Sequence, residues 1–239
     1  MLSGGELVAV IPVRGGSKGI PRKNLYRLGQ ETLLERAIKL ASACKRVDRV
    51  VVSTDDPEMY EIASRYGVAA PSLRPAHLAT DAARTVDVVL DLLDQIKVED
   101  AYVLLLQATS PLRTLSDLEQ LLDIFENDTS GAEAIVSLTK QDDPHPDKIQ
   151  KIQDGFVRPY LNVDSMVPRQ TLPTVYRFNG AFFLTDAKVL RSKGTFMPCR
   201  TLPYIMPPER SVNLDGPLDL ILLEALVARH IVSPEDYLK

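Results

Sequence analysis

Short apolar runs alternate along the chain with stretches whose apolar residues recur at helical spacing. Four continuous apolar runs are typical of buried strands: residues 6–13, 49–54, 101–107 and 134–139. Four stretches between or after them have the period of amphipathic helices: residues 32–46, 56–67, 85–96 and 116–128. This alternation predicts an α/β fold, Rossmann-like, in which a mostly parallel sheet is covered by helices on both faces.

Local signals place some of the element boundaries. Asp56 is expected to cap the second helix, and Gly67 to end it. Ser116 is expected to cap the helix over 116–128, with Glu119 in the capping-box position. Residues 177–185 predict one more strand, and residues 217–230 predict an amphipathic C-terminal helix.

The pattern changes between Gln141 and Thr174, where proline and polar residues interrupt the alternation. Asp154-Gly155 lies at the centre of this stretch and predicts a hairpin turn. We therefore predict a single domain over residues 1–239, with residues 141–174 inserted as a protruding arm. The arm serves either as a dimerisation element or as a lid over its own chain.

Composition narrows the class of protein. A net charge of −4 lacks the basic excess expected of a nucleic-acid-binding protein. No run reaches the length of about 18 apolar residues that a membrane helix needs, and residues 1–13 lack the charged start of a signal peptide. The two cysteines lie far apart in the sequence. We therefore expect a cytoplasmic protein with no membrane and no nucleic-acid partner.

The loop Arg14–Asn24 follows the first predicted strand, at the edge where α/β sheets bind ligands. Its three glycines permit backbone amides to approach an anion, and it also contains four cations: Arg14, Lys18, Arg22 and Lys23. The loop matches neither the P-loop pattern nor the G-x-G-x-x-G pattern of dinucleotide-binding folds. It therefore predicts a different polyphosphate-binding loop, the alternative being a solvated surface turn.

The segment IPVRGGSKGIPRKN (11–24) resembles the signature loop of the CMP-sialic acid synthetases, also called acylneuraminate cytidylyltransferases. Other segments resemble motifs of that family in the same order: STDD (53–56), RPAHLATDAART (74–85), LLQATSPLR (105–113), PRQTLPTVYRFNGAFFL (168–184) and SVNLDGPLDL (211–220). The resemblance implies a fold of the nucleotide-diphospho-sugar transferase type and a single nucleotidyltransferase domain. It further implies transfer of CMP from CTP to a nine-carbon 2-keto sugar acid for cell-surface glycans. Guanylyl or other nucleotidyl transfer to a related sugar, and a non-catalytic nucleotide-binding protein, remain as alternatives.

The resemblance also implies roles for individual residues. The catalytic residues would be Arg14, Lys18 and Asp215, and the nucleotide would be bound by Arg14, Gly15, Ser17, Lys18, Lys23, Asn24, Arg74, Ala79 and Asp81. Arg74 could instead only fix its loop. A Mg²⁺ ion would be held by Asp215 with help from Asn213, since Mg²⁺ prefers oxygen ligands. The family usually shows D-x-D at this place, and Asn213 replaces the first acid, which favours one ion over two. The alternative for Asp215 is that it caps the final helix.

A sugar acid requires cations for its carboxylate and polar groups for its hydroxyls. The resemblance implies six sugar-binding residues: Gln107, Lys148, Arg169, Arg177, Asn179 and Phe183. Phe183 stands where the family has a tyrosine, so one hydroxyl is missing. The resemblance finally implies a homodimer in which the arm completes the neighbouring sugar site.

Overall fold

The strands and helices follow the alternation of the sequence. The structure, a computed structural model, describes Leu2 and residues 5–238. Its strands are β1 (Glu6–Pro12), β2 (Arg27–Leu28), β3 (Glu31–Thr32), β4 (Arg49–Ser53), β5 (Ala101–Leu105), β6 (Ala134–Gln141), β7 (Gln150–Gln153), β8 (Phe156–Pro159), β9 (Val175–Asp186) and β10 (Thr201–Met206). Its α-helices are α1 (Leu33–Ala43), α2 (Pro57–Arg65), α3 (Thr85–Gln95), α4 (Leu115–Glu126), α5 (Ala187–Lys193) and α6 (Pro217–Ala228).

A six-stranded sheet in the order β10-β6-β9-β5-β1-β4 forms the centre of the fold. The pairs β1–β4, β1–β5 and β6–β10 are parallel, and β9 runs antiparallel to both of its neighbours. Leu7 and Ile11 point to a face covered by α1, α2, α4 and α6, while Val8 and Val10 point to a face covered by α3 and α5. The predicted fold class, a mostly parallel sheet between two helical layers, is confirmed.

The edge strand β10 was not predicted from the sequence. It contains Pro203, which has no N–H to donate to a sheet and therefore argues against a central strand. The structure resolves the conflict because, among the described residues, β10 pairs with β6 alone and is the edge strand of the sheet. A proline is tolerated at that edge.

The predicted start of α4 was wrong. Thr114, not Ser116, is the N-cap, and its hydroxyl accepts a hydrogen bond from the N–H of Asp117. The Asp117 carboxylate accepts in return from the Thr114 N–H. The sequence Thr-Leu-Ser-Asp fits the capping-box spacing as well as the register starting at Ser116 does. Asp117 is decisive because it is wholly buried and makes further contacts there.

The C-terminal helix α6 lies where it was predicted, but it is not amphipathic. Apolar residues surround almost its whole circumference, and Leu223 packs in the core. Leu218, Ile221 and Leu222 are exposed, with Leu218 at 80%. An all-apolar helix is normally buried on every side, so this exposed face is an unusual feature of the surface.

The arm protrudes from the sheet between β6 and β9. Strands β7 and β8 form a separate two-stranded sheet, and the turn between them uses Asp154 and Gly155, both with positive φ angles. The predicted hairpin at this dipeptide is confirmed. The assignment of residues 1–239 to one domain, with 141–174 as a dimerisation arm or lid, stays a prediction.

No helix within the described residues combines the length and apolar character of a membrane span.

Candidate active site

A cleft of about 450 Å³ opens beside the carboxyl ends of β1 and β5. Parallel sheets bind ligands at this edge. Nine of the predicted site residues line it: Arg14, Ser17, Lys18, Lys23, Asn24, Arg74, Asp81, Gln107 and Asp215. They come from the first loop, the segment before α3, the end of β5 and the segment before α6. The cleft therefore collects residues from nearly the full length of the chain.

The loop after β1 is held by side chains beneath it. The buried Asn24 donates its amide hydrogen to the carbonyl of Arg14 at 3.1 Å. The N–H of Gly15 donates to Asp55 Oδ1 at 3.1 Å, so its amide is already engaged, and Gly15 is not among the residues that line the cleft. Asn24 and Asp55 therefore shape the loop, and the cations of the loop remain on its surface.

The first loop and the segment before α6 touch directly. Lys23 Nζ donates to the Leu214 carbonyl at 2.7 Å and to Asp215 Oδ1 at 3.0 Å. A Cβ atom at Gly19 would lie 2.0 Å from the Asp215 carbonyl oxygen, so any side chain there would collide with backbone. Gly19 is required for this close approach.

The carboxylate of Asp215 does not cap α6. The helix cap is Gly216, and the carboxylate that accepts from the N–H groups of Asp215 and Gly216 belongs to Asp219. Asp215 instead projects its carboxylate into the exposed cleft, where Asn213 Nδ2 donates to Oδ2 at 3.1 Å. The alternative of a capping role for Asp215 is thereby removed.

Few protein ligands are available for a metal ion at this place. Over the described part of the chain, no three His, Cys, Asp or Glu side chains gather closely enough to hold a cation. Asp215 offers one carboxylate, and Asn213 turns its amide nitrogen toward that carboxylate. This donor set fits one Mg²⁺ ion that takes most of its ligands from water and substrate phosphates. It does not fit two ions.

Asp81 holds two of the cations of the loop. Arg14 Nη2 and Lys18 Nζ each lie 2.5 Å from one of its carboxylate oxygens. These hydrogen bonds, from Lys18 first and Arg14 second, hold the pKa of Asp81 below its usual range. All three side chains are reachable by solvent, and Lys18 is 83% exposed.

Arg74 is bound at the base of the cleft. Its Nε donates to Ser53 Oγ at 2.9 Å and its Nη2 donates to the Val13 carbonyl at 2.8 Å. Burial lowers the pKa of Arg74. Arg74 thus joins the ends of β1 and β4 through main-chain and hydroxyl oxygens. Ala79 lies between two lining residues, Leu78 and Thr80.

A bulge in β9 brings another strand to the rim of the cleft. The register between β6 and β9 shifts near Ser137, whose hydroxyl bonds to Asn179 and Phe182 in place of the regular ladder. Bulges of this kind often lie beside active sites. Gly180 has φ +73° in the bulge, and a Cβ there would lie 2.5 Å from Gln107 Oε1. The missing side chain leaves room for Gln107.

The other predicted sugar-binding residues lie outside this cleft. Asn179 is wholly buried and bonded to Ser137 and Ser211. Phe183 packs against Phe178 and Phe196.

The remaining three, Lys148, Arg169 and Arg177, are on or next to the arm. Lys148 donates to the carbonyls of Ser165 and Val167, and Arg169 lines a second cavity of about 400 Å³ at the base of the arm. Arg177 is exposed on β9, opposite Thr139.

Sequence reasoning missed part of the cleft wall and one buried cation. Ten further residues line the cleft, among them Thr80, Ala83, Thr85, Val88 and Thr109. Thr109 follows Gln107 closely after β5, and that position was the available signal. The buried cation is Arg113, whose Nη1 donates to the carbonyls of Gln107 and Ala181. Burial, with a smaller effect of Arg36, lowers the pKa of Arg113 to about 9.

A cationic cleft at the carboxyl edge of an α/β sheet, lined by the carboxylates of Asp81 and Asp215, is suited to bind an anionic nucleotide. The sequence model of the family described as "Cytidylyltransferase" matches residues 8–148. The chain is 30% identical over 228 residues to the CMP-N,N'-diacetyllegionaminic acid synthase of Legionella pneumophila, covering 93% of this chain and 96% of that protein. The chain belongs to the cytidylyltransferase family, and its enzyme type is that of the acylneuraminate cytidylyltransferases.

The chain is also similar to a longer relative and to a solved structure. The chain is 29% identical over 217 residues to the N-acylneuraminate cytidylyltransferase of Streptococcus agalactiae, and the match covers 90% of this chain but only 51% of that longer protein. The structure of a CMP:2-keto-3-deoxy-manno-octonic acid synthetase complexed with CTP superposes with a TM-score of 0.68. That match covers 94% of this chain and 99% of the other at 16% identity, and it shows the same fold.

Proposed function

We propose that this enzyme transfers CMP from CTP to a nine-carbon 2-keto sugar acid of the sialic or legionaminic type. A hydroxyl of the sugar attacks the α-phosphorus, a new P–O bond forms, and the bond to the β-phosphate breaks. Pyrophosphate leaves, and the hydroxyl proton passes to solvent. The observation that supports the proposal best is the meeting of the cationic loop with Asp215 in one cleft.

The triphosphate would lie along the first loop. Arg14 and Lys18 exchange the Asp81 carboxylate for phosphate oxygens, which are also anionic and also accept hydrogen bonds. The hydroxyl of Ser17 lines the same wall. Cations placed in advance around the phosphates stabilise the charge that moves onto the leaving pyrophosphate.

Asp215 would hold one Mg²⁺ ion at the rim of the cleft, with help from Asn213. When bound there, the ion would supply charge neutralisation at the phosphates and would lower the pKa of the attacking hydroxyl. Lys23 shares the carboxylate of Asp215 and so keeps it beside the first loop. The nearby amide of Asn213 orients the second carboxylate oxygen.

The base would lie against the segment between β4 and α3. Arg74, Leu78 and Thr80 line that part of the cleft, together with Val88 of α3. The carbonyls and side chains around Ala79 present hydrogen-bonding groups to a pyrimidine edge. We infer that the base is cytosine and not guanine, because the chain matches the family of cytidylyltransferases.

The sugar acid would bind beside Gln107, and a homodimer would complete its site. Lys148, Arg169 and Arg177 lie apart from the cleft of their own chain, so the arm of a second copy is the proposed source of the cation for the carboxylate. We also propose a cytoplasmic location, where thiols such as Cys44 and Cys199 are kept reduced.

The test is pyrophosphate release with Mg²⁺, each of the four nucleoside triphosphates, and a panel of nine-carbon sugar acids. We expect release with CTP and one acid, and a CMP-linked product by mass analysis. Asp215→Asn should abolish nearly all turnover, while Asp100→Asn is the matched control, because Asp100 is an exposed carboxylate that pairs with Lys188.

Three results would contradict the proposal. Turnover with a different triphosphate would refute the choice of base, and full activity of Asp215→Asn would refute the metal site. Absence of turnover with every pair, while CTP binds, would refute the transfer reaction for this class of acid.

A further inference from the structure

We propose that Ser110 is a positioning residue of the metal site, because its hydroxyl accepts a hydrogen bond from the Asn213 amide when that amide turns over to meet an ion. Without the ion, the amide nitrogen of Asn213 faces Asp215. With the ion, the amide oxygen takes that place. The inference deepens the proposed function and rests on it, since it concerns the ion of the same site.

The hydroxyl of Ser110 has two oxygen atoms within reach. Ser110 is wholly buried, and its Oγ lies 2.8 Å from the Asn179 carbonyl oxygen and 3.4 Å from Asn213 Oδ1. A hydroxyl has one hydrogen to donate, and the shorter distance assigns this hydrogen to the Asn179 carbonyl. The lone pairs of Ser110 Oγ therefore face the amide of Asn213.

The amide of Asn213 lies between this hydroxyl and the carboxylate of Asp215. Its Nδ2 donates to Asp215 Oδ2 at 3.1 Å, and hydrogen bonds to a carboxylate are among the stronger ones. Lys23 holds the other carboxylate oxygen, Oδ1, at 3.0 Å. The nitrogen side of the amide is thus well satisfied, while its oxygen side faces the lone pairs of Ser110.

A half-turn of the amide about its Cβ–Cγ bond exchanges oxygen and nitrogen and keeps the shape of the side chain. The nitrogen would then donate to Ser110 Oγ, and the oxygen would lie beside Asp215 Oδ2. Without a cation, this state loses a hydrogen bond and places an amide oxygen against a negative charge. A cation beside the two oxygens removes that cost, so the turned state belongs to the ion-bound site.

The distance between the two side chains suits Mg²⁺. Octahedral Mg²⁺ binds oxygen at about 2.0–2.1 Å, so neighbouring ligands lie roughly 2.8–3.0 Å apart. The Asn213 amide and Asp215 Oδ2 are 3.1 Å apart, close to that spacing. The turned amide would add one neutral oxygen to the single carboxylate of Asp215.

The surroundings of the amide are fixed, and they leave it room. The N–H of Leu214 donates to the Thr109 carbonyl at 2.8 Å, which joins the segment of Asn213 to that of Ser110. A Cβ atom at Gly180 would lie 2.9 Å from Ser110 Oγ and 3.4 Å from Asn213 Cγ. Glycine at this position therefore keeps space beside both partners.

The first test measures CTP binding by calorimetry without a sugar acid, once in EDTA and once in saturating Mg²⁺. The ratio of the two dissociation constants reports the contribution of the ion. We expect Ser110→Ala to lower this ratio about fivefold, since the turned amide loses its acceptor. Ser137→Ala is the matched control and should leave the ratio unchanged, because Ser137 is also wholly buried and bonded to Asn179.

A second background separates this role of Ser110 from a general structural one. In Asn213→Asp, a carboxylate presents an oxygen on either side and has no need to turn. Ser110→Ala added to Asn213→Asp should therefore change the ratio by less than about twofold, and the two substitutions are strongly non-additive.

Nuclear magnetic resonance of the wild type observes the turn itself. The side-chain NH₂ signal of Asn213 is identified by its absence from Asn213→Asp. With CTP and Mg²⁺, it should show a nuclear Overhauser effect to the β-hydrogens of Ser110. With CTP and EDTA, this effect should be absent.

Two outcomes would overturn the inference while the metal site stands. One is an equal loss from Ser110→Ala in both backgrounds, which would assign Ser110 a structural role. The other is an Asn213 signal with the same Overhauser effects in EDTA and in Mg²⁺. A wild-type ratio near one would overturn the metal site as well. Pyrophosphate release is measured separately and reports on the transfer reaction in every case.

Discussion

Two carboxylates, Asp117 and Asp81, are each held by basic side chains, but their surroundings are opposite. Asp117 is wholly buried, and Arg210 donates to both of its oxygens at 3.0 and 2.8 Å. Tyr204 and Thr114 donate to it as well. Asp81 is about half exposed and holds Arg14 and Lys18 at the mouth of the cleft.

The difference separates a charge cluster that maintains the fold from one that can exchange its anion. All the acceptor positions around Asp117 are filled by neighbours from three segments, so no ligand can enter. The two ion pairs of Asp81 are partly exposed to water, and exposed ion pairs are weak. A triphosphate can therefore displace Asp81 at small cost.

The largest expected effect is on stability. Arg210→Ala leaves the Asp117 charge buried without its cation, and breaking a buried pair in this way costs about 3–5 kcal/mol. Urea unfolding measures the loss. Lys188→Ala, which breaks the exposed pair with Asp100, should cost no more than about 1 kcal/mol. Equal losses in the two variants would contradict the structural role of the Asp117 cluster.

The complementary variant, Lys18→Ala, should affect catalysis and not stability. Removal of one preorganised donor to developing charge typically lowers the rate by about 10²–10³-fold. We expect a loss of that size in kcat/KM for CTP, with an unchanged urea midpoint. Lys188→Ala again serves as control. A destabilised Lys18→Ala protein would show that the Asp81 cluster maintains the fold as well.

The third expectation is that the contribution of Asp117 to folding stability depends on pH. Burial alone would raise the pKa of Asp117, but hydrogen bonds led by that from Arg210 outweigh it, and the pKa lies below its usual range. Because the folded pKa is the lower one, the pair stabilises the fold above the unfolded pKa of about 3.9. That stability is lost as the pH falls through the folded pKa.

Unfolding free energies of the wild type and Arg210→Ala, measured from pH 7 down to pH 3, check this expectation. The gap between the two proteins should narrow as the pH falls, by about 1.4 kcal/mol for each unit of difference between the folded pKa values of Asp117. A gap that stays constant would contradict the assignment of the lost stability to the ionised carboxylate.

The smallest effect is expected at Asp81. Asp81→Asn frees Arg14 and Lys18 before the nucleotide arrives, so KM for CTP should fall, by no more than about fivefold. The difference should shrink at about 1 M salt, where exposed charges are screened. Asp100→Asn should change nothing. A higher KM for Asp81→Asn would instead show that this carboxylate contacts the nucleotide complex itself.

The sequence predicted the features that depend on local pattern. Continuous apolar runs located the buried strands of the sheet, and Asp56 capped α2 as expected. The prediction of the N-cap of α4 was wrong because two local patterns compete. Thr114 and Ser116 both fit a capping box, and only the burial of Asp117 decides between them. β10 was not predicted because it contains Pro203, which is tolerated only at a sheet edge, and the sequence does not show which strand lies at an edge.

The candidate site was predictable in part for a related reason. Loop residues that follow a strand, such as Arg14 and Gln107, are placed by the sheet itself. The partners of charged residues depend on which loops meet in space. The ion pairs of Asp81 with Arg14 and Lys18 could therefore not be predicted from the sequence. The buried position of Asn179 likewise results from the bulge in β9.

The contact between Gly19 and the Asp215 carbonyl has a consequence for biosynthesis. Lys23 and Asp215 are 192 positions apart, and ribosomes add about 5–20 residues per second. The first loop therefore leaves the ribosome roughly 10–40 s before the segment that completes its binding surface. A nascent chain that stalls inside β10 would already contain all of the cationic loop and yet lack a finished cleft.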